Sequence, residues 1–206
     1  MIFVVRQPEP ASFHEGVRVK GLAHLKAKGF SIDKPLPPNA KIEPYWRACL
    51  TELHEEYGGV CAYLGVFFER VMGGGSVDHF VAKSTNAGLA YEWSNFRLSC
   101  STMNSRKREF DDVLDPFSDV LVWSLFHLEL VTGMIYPSPD FPNEILNTFA
   151  MMPVEKTIKR LGLDDSECRA MRADWFNSYL NKQVSSDYLK RRCPIVWFEA
   201  SRQGLL

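Results

Sequence analysis

Gly58-Gly59 and Gly73-Gly74-Gly75 cut the middle of this chain into pieces too short for long elements. Glycine clusters cost backbone entropy inside a helix or strand and favour a break. The β-prone runs around them are brief: Val60 to Tyr63, Val66 to Val71, Ser76 to Val81 and Asn95 to Cys100. Runs of that length bounded by turn residues predict short strands. From Val77 to Lys107 the expected order is therefore strand, polar loop (Ser84 to Glu92), strand, helix, with Ser101 or Thr102 capping the helix. Any sheet built here is small.

The flanks read differently. Residues 43–57 place Trp46, Cys49, Leu50 and Leu53 at i, i+3, i+4 and i+7, with Pro44 suited to a first turn, which predicts an amphipathic helix. Residues 1–42 read as an arm, with helical character from Ser12 to Lys28 and a stiff Pro35-Leu36-Pro37-Pro38. Residues 120–131 are apolar, Trp123, Phe126 and Leu130 having core spacing, and Pro137, Pro139 and Pro142 mark a loop. Val154 to Leu161 and Asp164 to Asn181 predict helices, and Cys193 to Phe198 a short strand or buried stretch. The expected class is α+β, divided into an N-terminal arm (1–42), a core (43–117) and a mostly helical region (118–206).

Composition bounds the function. With 46% hydrophobic and 24% charged residues the chain is that of a folded domain, not a disordered one. A formal net charge of −1 excludes a polycation drawn to nucleic acid as a whole, so such contact needs a local patch or a partner subunit. Five scattered cysteines argue against a disulfide framework. The start lacks the basic and long apolar regions of a signal peptide, and no apolar run approaches the ~18 residues of a membrane helix, so a cytoplasmic protein with no membrane association is expected.

The chemistry is concentrated in SVDHFVAKS (76–84) and YEWSNFRLSCSTMNSRK (91–107). Metal-assisted phosphodiester hydrolysis needs a base for water and hard oxygen ligands for a divalent cation. Asp78 and His79 are adjacent at a strand end, so one can bind metal while the other faces water. Asn104, early on the next helix, offers a second oxygen. Mg²⁺ (or Mn²⁺) suits one or two protein oxygens because it keeps several waters. Lys83, Arg106 and Lys107 are candidate nucleic-acid contacts, since the segment from Arg97 to Arg108 carries four basic residues and no acidic one. An imidazole of ordinary pKa predicts activity rising through pH about 6–7.

The spacing of Asp78-His79, Asn95 and Asn104 resembles the HNH motif of the ββα-metal endonuclease superfamily, including the HNH domain of RNA-guided CRISPR nucleases. The wider pattern of CAYL (61–64), VDHFVAKS (77–84), WSNFRLSC (93–100), MNSRK (103–107) and Asp115-Pro116 is most similar to the HNH proteins of retron and Septu-type phage defence. The resemblance implies a small ββα-metal core embedded in a largely helical chain. It implies His79 as general base, Asn95 as the brace of the loop carrying it, and Asp78 with Asn104 as metal ligands. It further implies DNA as the favoured substrate, a partner ATPase, and a role as effector of a bacterial anti-phage system. Relatives carry two C-x-x-C pairs on a structural zinc. Here each pair keeps only its first cysteine, in Cys61-Ala-Tyr-Leu64 and Cys100-Ser-Thr-Met103, so no structural zinc is expected and an apolar Leu64–Met103 contact is expected instead. Two alternatives stand beside this reading: an HNH-shaped subunit that binds nucleic acid or a partner without cutting, and a nuclease aimed at RNA such as tRNA.

Overall fold

The computed structural model describes residues 4–72, 74–117, 125–139 and 151–206. The chain separates into two units: Arg6–Gly59 with Phe68–Asp111, and Met1–Val5 with Val60–Phe67 and Asp112–Leu206. The described residues form a mixed α and β structure with two small antiparallel sheets among helices.

In the first unit, Phe13, Val17, Gly21 and Leu25 recur every fourth residue, and all four are buried. A fourfold repeat on a regular α-helix drifts about 40° per step. The drift is taken up because α1 (Ala11–Phe13) passes through a π-helical stretch (His14–Val19) before α2 (Lys20–Ala27). The aligned face packs into a core of Leu53, Val77, Tyr91, Trp93, Phe96 and Leu98, with Phe13 edge-on to Trp93 at 5.4 Å and to Phe96 at 5.6 Å. Gly21 lies against the buried Tyr91 ring, and a Cβ there would come within 2.1 Å of its Cγ. The ring cannot retreat, because its hydroxyl donates to Glu43 O at 2.8 Å. Gly21→Ala is therefore expected to cost about 3 kcal/mol, the upper range for overpacking. An unchanged urea midpoint would show that the contact can relax.

The amphipathic segment starts as a 3₁₀ turn (Tyr45–Cys49) and continues as α3 (Leu50–Glu56), burying Cys49 and Leu53. It packs against β1 (Gly75–His79), which pairs antiparallel with β2 (Phe96–Cys100), Asp78 opposite Arg97 and His79 opposite Phe96. Directly after β2 comes α4 (Ser101–Lys107). Neither Ser101 nor Thr102 caps it. Cys100 holds the N-cap position, and Ser101 instead donates from its backbone N to Gly74 O at 2.7 Å, tying the helix start to the strand entry.

In the second unit, β3 (Phe126–Glu129) and β4 (Met134–Pro137) form a hairpin, followed by α5 (Met151–Leu161), α6 (Ser166–Leu180), α7 (Ser186–Arg192) and α8 (Pro194–Arg202). Arg172 of α6 is wholly buried and donates to Gly133 O and Leu163 O, both at 2.7 Å, fastening the helix to the hairpin turn. Two expectations fail here. Cys193 to Phe198 is helical rather than extended, because Pro194 sits at a first-turn position where its missing N–H costs nothing. The strands expected over 60–71 reduce to one bridge, Val60 to Phe67, and a 3₁₀ turn at Arg70–Met72. Gly65 (φ 68°) reverses the chain, with Cys61 N donating to Val66 O at 3.0 Å, too tightly for paired strands to extend. Cys61 and Leu64 belong to this unit, Cys100 and Met103 to the first. Residues 120–124 of the apolar segment, Trp123 among them, and Pro142 lie outside the described residues. Among the described residues, no helix is long and apolar enough to cross a membrane.

Candidate active site

The last two residues of β1 carry the candidate chemistry. His79 is buried, edge-on to Trp46 at 4.8 Å and to Phe96 at 5.1 Å. Its Nε2 lies 3.0 Å from Ala90 O. A carbonyl only accepts, so Nε2 holds the proton and the lone pair of the neutral ring is on Nδ1. Among the described residues Nδ1 makes no hydrogen bond. Burial, and then the positive charge of Lys83, pull the imidazole down to about 3, with Lys107 adding to the effect against the Ala90 hydrogen bond. The expected rise in activity through pH 6–7 therefore does not follow for the protein alone, where His79 is neutral across that range.

The same shift has a consequence for stability. The folded value lies below the ordinary one of 6.5, so below pH 6.5 the unfolded chain takes a proton that the native ring refuses. Stability is complete above that value and falls as pH drops from 6.5 towards 3, with a slope reaching about 1.4 kcal/mol per pH unit from this group. In chelator, wild type should lose urea resistance between pH 6.5 and 5 faster than His79→Gln. Parallel curves would show that the ring protonates freely.

Asn95 stands just ahead of β2 and is itself buried. Its Oδ1 accepts from Val81 N at 2.8 Å, while Nδ2 donates to Val81 O and Leu89 O, each at 3.0 Å. Phe80 N donates to Asn95 O at 2.9 Å. One side chain thus binds both ends of the loop that follows His79. Asparagine suits this because a single amide both donates and accepts.

Asp78 is 2% exposed, and its Oδ1 lies 3.4 Å from Lys107 Nζ. Lys107 was a candidate phosphate contact, but it is wholly buried: its ammonium also donates to His79 O and Phe80 O, both at 3.1 Å. The charge that read as surface compensates Asp78 inside the fold. Arg97 is similarly interior, donating to Ser94 O at 2.8 Å and Phe96 O at 3.0 Å. Arg106 is half-buried on α4. Asn104 donates from Nδ2 to Ser76 Oγ, which leaves Oδ1 as an acceptor.

Asp78, His79, Lys83 and Asn104 line one pocket with Val77, Ala82, Arg108 and Glu109. Arg106 and Asn95 are outside it, Asn95 acting from behind. Lys83 is half-buried with its ammonium 4.8 Å from the Trp46 ring centre, and burial lowers its pKa. Glu109 was missed by sequence reasoning; it accepts from Ser84 Oγ at 2.9 Å, so the loop meets the end of α4 at the pocket rim. Its only sequence signal is that it ends the basic run. The chain matches no family model and no curated protein. The other histidines with close polar contacts serve the interior: His54 Nε2 is 3.0 Å from Phe68 O, and His127 Nε2 is 3.0 Å from Ser138 Oγ.

Chemically, the pocket offers one neutral imidazole with its acceptor nitrogen unbonded, hard oxygens from Asp78 and Asn104, the Glu109 carboxylate at the rim, and two cations from Lys83 and Arg108. Among the described residues no three His, Cys, Asp or Glu side chains converge on a metal position. A carboxylate with an amide oxygen is nonetheless a donor set that fits Mg²⁺ or Mn²⁺ keeping most of its water, and it is too poor in nitrogen and sulfur for zinc.

Proposed function

We propose that this chain is a divalent-metal-dependent endonuclease of the HNH, ββα-metal kind that hydrolyses nucleic-acid phosphodiesters, DNA being the favoured substrate. The observation that carries the reading is the joint presence of Asp78, His79 and Asn104 in one pocket built by strand, strand and helix. The bracing of the loop by Asn95 supports it. The motif resemblance supplies the reaction class.

Asp78 and Asn104 would hold the cation. Bound there, it supplies Lewis-acid neutralisation of the charge that builds on the phosphate and the departing 3′ oxygen. His79 Nδ1 takes a proton from water, whose oxygen attacks phosphorus as the P–O3′ bond breaks, and the departing 3′ oxygen takes a proton from solvent water, leaving a 5′-phosphate and a 3′-hydroxyl. Ala90 O keeps Nε2 protonated, which holds the ring in the tautomer that can act as base. An incoming phosphate brings negative charge that offsets Lys83 and makes the imidazole more basic than in the protein alone. A place as effector of an anti-phage system with an ATPase partner belongs to the same proposal and rests on the resemblance.

The test is incubation of the chain, and of any complex purified from native expression, with plasmid, single-stranded DNA and total RNA. Mg²⁺, Mn²⁺ and chelator form the three arms. Plasmid cutting in Mg²⁺ or Mn²⁺ and none in chelator is expected. Asp78→Asn and Asn104→Ala should shift the metal titration to at least tenfold higher concentration or abolish cutting, with Mn²⁺ rescuing in part. Wild-type titrations in both variants would remove the ligand assignment. Cutting of RNA alone would move the substrate, and binding without cutting would favour the non-catalytic subunit.

A further inference from the structure

The turn that ends α4 places an arginine where the backbone suits glycine. Arg108 has φ 50° and ψ −129°. Phe110 N donates to Lys107 O at 3.2 Å, which makes Arg108 the second residue of a tight turn of type II′ geometry. That position has positive φ and is dominated by glycine, since a Cβ crowds the backbone there. The sequence around it explains why the chain must turn so sharply: Lys107 is anchored inside on Asp78 and the His79 and Phe80 carbonyls, while Glu109, two residues on, meets Ser84 at the rim. Nothing in that requirement calls for a long cation at 108. Glycine would make the turn without strain.

Where the side chain goes supplies a reason. Arg108 is exposed and lines the pocket that holds Asp78, His79 and Asn104. Its Nε donates to Ser105 O at 3.3 Å, and among the described residues its terminal nitrogens make no hydrogen bond or ion pair. A planar guanidinium with unoccupied donors beside a candidate hydrolytic centre matches the geometry of a phosphate better than a point charge does. Lys83, its half-buried neighbour on the pocket wall, also makes no hydrogen bond among the described residues. Both cations line the pocket with His79 and Asn104, while Lys107 is committed to the interior.

We infer that Arg108 grips the phosphodiester at the reacting position, and that the strained turn is retained because it aims the guanidinium into the pocket. This rests on the phosphodiesterase reading above. Glycine at this position separates the two roles, because it relieves the backbone and removes the grip. Arg108→Gly should raise the thermal midpoint by a few degrees, while kcat/KM on plasmid falls at least tenfold. Arg108→Lys keeps a charge without the fork and should recover part of the loss. Binding of a short duplex, followed in a His79→Gln background so that cutting is slow on the timescale of the measurement, should weaken and show a smaller salt slope when Arg108→Gly is added. Arg108→Gly that cuts and binds like wild type would overturn the inference and leave the nuclease reading intact. A lowered midpoint in Arg108→Gly would overturn the strain argument. If wild type neither cuts nor binds any nucleic acid, the reading of the pocket falls and this inference with it.

Discussion

His79→Gln should lower the single-turnover cleavage rate at saturating Mg²⁺ by about 100-fold or more while leaving the fold in place. Glutamine is the informative replacement because of what His79 does structurally. The ring is buried against Trp46 and Phe96 and donates from Nε2 to Ala90 O. Alanine would delete the base but also open a cavity between two aromatic rings and strand a buried carbonyl, at a cost of roughly 2–4 kcal/mol. Its loss of activity would be ambiguous. The carboxamide of glutamine can still donate to Ala90 O and fills much of the volume, yet offers no nitrogen that accepts a proton at neutral pH. Thermal unfolding checks the fold, and rapid-quench cleavage of a labelled duplex checks the chemistry. A variant that folds and cuts at the wild-type rate would take His79 out of the mechanism.

Much of the candidate site was legible in the sequence because it is local. Strands were expected over Ser76–Val81 and Asn95–Cys100, and β1 and β2 span Gly75–His79 and Phe96–Cys100, with α4 following as expected. The strands pair with His79 opposite Phe96 and Gly75 opposite Cys100. Helix α4 starts at the Gly75 end and runs back along the hairpin, Asn104 meeting Ser76 and Lys107 meeting His79 O, which brings Asn104 to the pocket of Asp78 and His79. What spacing does not encode is which way a charged side chain turns. Arg97 and Lys107 belong to a basic run that reads as solvated, yet both are buried, because backbone carbonyls and a carboxylate wait for them inside. That compensation exists only after β1, β2 and α4 have assembled. The positive φ of Arg108 was equally invisible, since the usual marker of such a turn is a glycine and none is present. The strands expected near 60–71 failed for the opposite reason: their apolar residues have β propensity, but Gly65 and the bridge at Val60 leave no length for a ladder.

Lys107→Met should destabilise the protein by about 3–5 kcal/mol in chelator, the largest stability loss expected of any change in the pocket's surroundings. Asp78 and Lys107 are 2% and 0% exposed, so neither charge has water as an alternative partner. Methionine keeps the volume and flexibility of the lysine stem, so packing against the hairpin survives. What is lost is the ammonium 3.4 Å from Asp78 Oδ1 and the donor shared by His79 O and Phe80 O. A buried carboxylate that loses its ammonium partner keeps its charge at a greater cost or takes up a proton. Stability of the variant should therefore improve as pH falls through the carboxylate range, where protonation of Asp78 removes a buried charge that has lost its ammonium partner. Asp78→Asn combined with Lys107→Met should recover much of the loss, because the amide needs no counter-charge. The double-mutant cycle in urea measures the coupling directly. Divalent cation supplies a second discriminator: if Asp78 is a ligand, Mg²⁺ should stabilise Lys107→Met more than wild type, since the cation replaces the missing positive charge. Equal Mg²⁺ responses in the two proteins would separate Asp78 from metal binding, and a single variant as stable as wild type would show that the buried pair contributes nothing to the fold.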